Sequence, residues 1–81
     1  MKNKEEITNN ILGAVENYNA ICSKHLLNHR IKYNPLNETL VVANRQQLSY
    51  GSYQCELAKG VENVEYFVLA LIKMLCFEYG E

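Results

Sequence analysis

From Lys4 to about His29, apolar or semi-apolar residues fall at Ile7, Ile11, Ala14, Tyr18, Ile21 and His25, at alternating spacings of four and three. That period marks one face of an amphipathic helix. Val15, Cys22 and Leu26 widen the stripe, and Asn9, Asn17 and Lys24 occupy other faces. Asn3, followed three residues later by Glu6, forms an N-capping pair. A helix of roughly 25 residues runs about 37 Å, so it spans the whole fold or projects into a partner.

The period then changes. Ile31 to Asn34 alternates apolar with polar, Asn34-Pro35-Leu36-Asn37 supplies a turn, and Thr39 to Ala43 reads as a strand. Arg30 to Ala43 is therefore a β-hairpin whose Ile31, Tyr33, Leu40 and Val42 share one face. Between Asn44 and Gly60 two signals compete. Tyr53, Cys55 and Leu57 alternate as in a strand, yet Tyr-Gln-Cys-Glu-Leu-Ala-Lys uses good helix formers between a Ser52 start signal and a Gly60 stop signal. A short helix is preferred over residues 48–59, with a third strand as the alternative. From Val61 or Asn63 to Tyr79, Glu62 and Glu65 occupy the first turn, where the helix dipole favours them. Apolar residues then cover nearly the whole circumference, which predicts a helix buried on several sides.

The pattern predicts an α+β fold: a long N-terminal helix, a central β-hairpin, a short helix and an apolar C-terminal helix. The alternative is a helix, three antiparallel strands and a helix. Residues 1–81 are expected to form a single small domain. Its core is thin, because short chains bury a smaller share of their surface, and association with another chain is one remedy.

Hydrophobic residues make up 48% and charged residues 21%, the balance of a chain that folds. The net charge of −1 gives no global pull toward phosphate or anionic lipid. All nine acids are Glu, and Asn and Lys are abundant, a usage that points to an AT-rich coding source such as a low-GC bacterium, its phages or its mobile elements. Three cysteines without close pairing indicate reduced thiols, and Met1 to Glu6 leads into no apolar signal core, so a cytoplasmic location is expected. The apolar stretch Val61 to Tyr79 is broken by Glu62, Glu65, Lys73 and Glu78, which argues against a membrane span.

Cys22, His25 and His29 place a thiol and both histidines within one helical arc, a donor set able to bind zinc, though it lacks a fourth ligand nearby. The preferred interpretation is structural: a core cysteine, an edge histidine and a polar helix end, with no metal and no cofactor. Lys24, Arg30 and Lys32 with the histidines make a modest basic patch, to which Tyr33 adds an aromatic surface of the kind that binds single-stranded nucleic acid. Were the third segment a strand, the element order would resemble that of the double-stranded-RNA-binding family. The resemblance is confined to topology, since Glu62 and Glu65 open the last helix where that family presents lysines.

No glycine-rich phosphate loop and no nucleophile–base motif is present, and an enzyme is not expected. The six tyrosines are amphipathic and suited to interfaces, with Tyr50 and Tyr53 in a Gly/Ser-containing stretch, and Leu69 and Phe77 lie on the apolar last helix. These four are the interface candidates. The expected function is a non-catalytic, cytoplasmic protein–protein interaction module. It is expected to be a homodimer, of the accessory or inhibitor kind that phages and mobile elements direct at host proteins. The alternative is a nucleic-acid-associated module using the basic patch.

Overall fold

The computed structural model describes residues 3–44 and 55–81. Helix α1 spans Lys4–Lys24, strands β1 His29–Asn34, β2 Thr39–Asn44 and β3 Cys55–Lys59 follow, and helix α2 spans Val61–Tyr79. The three strands form one antiparallel sheet in the order β1-β2-β3. Over the described residues the fold is α+β, in the helix, three-strand, helix form. It shares the element order of the double-stranded-RNA-binding family.

α1 begins where the capping pair indicates, with the Asn3 side-chain oxygen accepting from the Glu6 N–H at 2.8 Å. It buries Ile7, Ile11, Tyr18, Ile21 and Cys22. It ends at Lys24, short of the expected His29. Leu26 takes a left-handed conformation (φ 57°), and two bonds close the end: Leu26 N–H to Ser23 O at 3.1 Å and Leu27 N–H to Cys22 O at 2.9 Å. This is a Schellman termination, normally built around glycine. It ends the helix early enough for His29 to pair with Asn44 in the sheet.

In the hairpin, Ile31 pairs with Val42 and Tyr33 with Leu40, so the four residues expected on one face do share it and line the core. The Asn34 side chain accepts from the Leu36 N–H at 2.9 Å, an Asx turn that starts the reversal. The short helix preferred over residues 48–59 is corrected for residues 55–59, which are β3, paired with β2 and carrying one bulge where Leu57 is the extra residue; residues 48–54 lie outside the described residues. Its Glu, Leu, Ala and Lys differ from good strand formers by tenths of a kcal/mol each, whereas each ladder bond with β2 is worth about 1 kcal/mol.

Both helices pack on the same face of the sheet. Glu38, at a positive φ in the hairpin turn, pairs with Lys4 and accepts from the backbone N–H of Val61, while its own carbonyl accepts from Gly60 N–H at 2.8 Å. At the opposite end, Lys24 and His25 both bond Glu81. The two clasps join start to start and end to end, so α1 and α2 run in the same direction.

The free edge of β1 is closed by a side chain. Asn19 of α1 accepts from Ile31 N–H at 2.9 Å and donates to Ile31 O at 2.8 Å, as a neighbouring strand would. Arg30 donates to the His29 carbonyl at 2.7 Å. Such blocking keeps an edge from pairing with another chain.

Candidate functional site

α2 has two opposite faces. Val61, Val64, Val68 and Leu75 are buried against α1 and the sheet, with Phe67, Leu71, Ile72, Cys76 and Tyr79 partly covered beside them. On the other side Tyr66 is 79% exposed, Leu69 55%, Met74 66% and Phe77 94%. With exposed Ala70 and Lys73 they recur at the helical period and form one continuous stripe. Beside its C-terminal end lies an open, mostly apolar depression of about 630 Å³ lined by Lys73, Met74, Phe77 and Glu78. The expectation that α2 is buried on several sides is corrected: a three-stranded sheet and one neighbouring helix cover a single side. Leu69 and Phe77 therefore fall on the uncovered face. Tyr50 and Tyr53 lie outside the described residues.

The Cys22, His25 and His29 set is divided by the early end of α1. Nε2 of His29 lies 2.8 Å from the Tyr18 hydroxyl and 3.7 Å from Cys22 Sγ. With Nε2 unprotonated, His29 accepts a hydrogen bond from the Tyr18 hydroxyl. His25 turns the other way, stacking on Tyr79 with centroids 4.6 Å apart and reaching Glu81 at 3.0 Å. Among the described residues no three potential metal ligands converge. Burial pushes the Cys22 thiol up from its ordinary value, with the Arg30 charge acting in the opposite direction, and it pushes the Tyr18 hydroxyl up to about 12. A buried thiol held in its protonated form is a poor nucleophile. Although Cys22 and His29 touch, their surroundings are those of a core.

The basic patch is equally divided. Lys24 is bonded to Glu81 and Arg30 to the Leu27 and His29 carbonyls. Lys32 points to the open face of the sheet. Tyr33 is only 4% exposed, which corrects its expected role as a surface aromatic; it belongs to the core face of the hairpin. Glu62 is exposed in the first turn of α2.

A second depression, about 470 Å³, lies at the start of α2 between Lys4, Glu38, Gly60, Val61 and Glu62. A helix start attracts anions, but here Glu38 already supplies the carboxylate. The Lys4 ammonium and the Val61 N–H hold that carboxyl below its ordinary value. No helix among the described residues is long and apolar enough to cross a membrane. The chain matches no family of known proteins, no curated protein and no solved structure.

Sequence periodicity marked α2 as apolar all round but not which side the fold leaves open. The edge-closing role of Asn19 was missed too, because an Asn on the flank of an amphipathic helix has no distinctive pattern.

Proposed function

We propose that this chain is a non-catalytic protein–protein interaction module, a single small domain acting in the cytoplasm, whose contact surface is the outward face of α2. The observation that carries it is the unbroken exposure of Tyr66, Leu69, Met74 and Phe77 along one helix face. Isolated exposed apolar residues are ordinary, whereas a contiguous apolar patch of several hundred Å² marks a contact site. Aromatic residues and Met are also the types enriched at interfaces. An accessory protein from a phage or mobile element, docking on a host protein, would use the same face. The unpaired state of Cys22, Cys55 and Cys76 accords with a reducing compartment.

Photo-crosslinking tests it. A benzophenone side chain replacing Tyr66 is expected to give protein adducts of defined mass in cells producing the chain. One replacing Lys32, on the open sheet face, is expected to give none. Equal yields from both positions, or nucleic-acid adducts from Lys32, would refute the proposal.

A further inference from the structure

We infer that the occupant of the outward face of α2 is the same face of a second copy, with the two helices antiparallel and related by a twofold axis near the midpoint of residues 71 and 72. This rests on the proposal that the stripe is an interaction surface and names its partner. The positions 66, 69, 70, 73, 74 and 77 read the same in either direction about that midpoint. Their chemistry is matched as well. An antiparallel pairing sets Tyr66 against Phe77 on the mid-line of the stripe, with Leu69 beside Lys73 of the other copy on one edge and Ala70 beside Met74 of the other copy on the other, so aromatic meets aromatic and the leucine packs on the aliphatic stem of the lysine. Small Ala70 leaves room for Met74 of the other copy.

Such a seam is isologous, the arrangement expected of most homodimers. A twofold axis lying across the helices brings the same edge of both stripes together. Lys73 and Glu65 share that edge, and Lys73 of one copy then lies about 7 Å along the axis from Glu65 of the other, within reach of its side chain. The antiparallel helix dipoles oppose favourably. A parallel pairing would instead set Lys73 against Lys73 and place all the N-terminal Glu residues together.

The area is sufficient for a reversible dimer. Two aromatic side chains at 79% and 94% exposure contribute about 350 Å² per copy, given the area such rings bury. Leu69 and Met74 bring the total to about 450–500 Å². That approaches the roughly 600 Å² per partner at which weak, reversible complexes lie and falls short of an obligate interface. Half-dissociation in the micromolar range is expected.

Sedimentation equilibrium of the full chain from 1 µM upward, by about 500-fold in concentration, should show the mass rising from 9.3 kDa toward twice that value. Leu69→Glu should remain a folded monomer by circular dichroism, as should Phe77→Ser, the milder change at the most exposed position. In a Cys55→Ser, Cys76→Ser background, Ala70→Cys should form a disulfide-linked dimer under mild oxidation and Tyr66→Cys should not, since positions 70 lie about 4–5 Å apart along the axis and positions 66 about 16 Å. A monomer throughout, a dimer unaffected by both stripe variants, or equal crosslinking from Tyr66→Cys would overturn the inference. If the chain stays monomeric while the Tyr66 benzophenone still captures protein, the second copy is ruled out and the interaction surface stands; if the probe captures nothing either, both fall.

Discussion

Removing the Asn19 side chain tests how the β1 edge is closed. Asn19→Ala deletes two bonds of 2.8 and 2.9 Å to the backbone of Ile31. It leaves a partly buried N–H and C=O without their partner. Each such bond is worth about 1 kcal/mol net, and more where water cannot replace it, giving a gross loss of about 2–3 kcal/mol. Alanine is the better helix former by about 0.6 kcal/mol, so the net loss should be about 2 kcal/mol. Against the roughly 4–12 kcal/mol expected of a domain this size, that is a large fraction. Urea unfolding should show the midpoint falling by about 1–2 M with an unchanged slope. Hydrogen exchange should report the Ile31 amide losing protection beyond the global change. Asn19→Asp adds a control: its carboxylate accepts from the Ile31 N–H but repels the Ile31 carbonyl, while its protonated form can both accept and donate. Relative to wild type at the same pH, this variant should therefore regain stability as pH falls through the raised carboxyl value. A loss below about 0.5 kcal/mol in Asn19→Ala, with Ile31 still protected, would refute the edge-closing role.

Four further outcomes follow from the structure. Leu26→Gly should stabilise the chain by about 0.5–1 kcal/mol, because Leu26 is 90% exposed at φ 57° and glycine removes the left-handed penalty at the cost of some unfolded-state entropy; a lower melting temperature would count against the termination described. Tyr33→Phe should be neutral or stabilising by up to about 1 kcal/mol, since the Tyr33 hydroxyl is buried without a hydrogen-bond partner among the described residues, and a larger loss in thermal unfolding would reveal a bond. Glu38 and Glu81 are held below their ordinary value of 4.5, chiefly by hydrogen bonds from Lys4 and Lys24, so their contribution is present above pH 4.5 and lost as pH falls through the lowered values. Melting curves at stepped pH and low salt should show this decline weakened in Glu81→Gln and Glu38→Gln, and an identical profile in both would exclude the clasps. Zinc and chelator should leave the melting temperature unchanged, and a stoichiometric, proton-releasing zinc uptake would show that Cys22 and His29 recruit a further ligand.

The sequence by itself determined what neighbouring residues decide among themselves. The Asn3 cap, the α1 stripe, the Asn34-Pro35 turn and the inward set Ile31, Tyr33, Leu40 and Val42 all depend on contacts within a few positions or on strand alternation, and all are present. Three features depended on contacts far apart along the chain. β3 exists because the outer edge of β2 offers a ladder whose bonds outweigh the helical propensity of Glu56 to Lys59. α1 stops at Lys24, against its continuing apolar period, because His29 is held by Asn44 and Tyr18. The exposure of Tyr66, Leu69, Met74 and Phe77 follows from the sheet and α1 offering only one apolar wall, so an all-round apolar helix turns one side toward that wall and leaves the other facing outward.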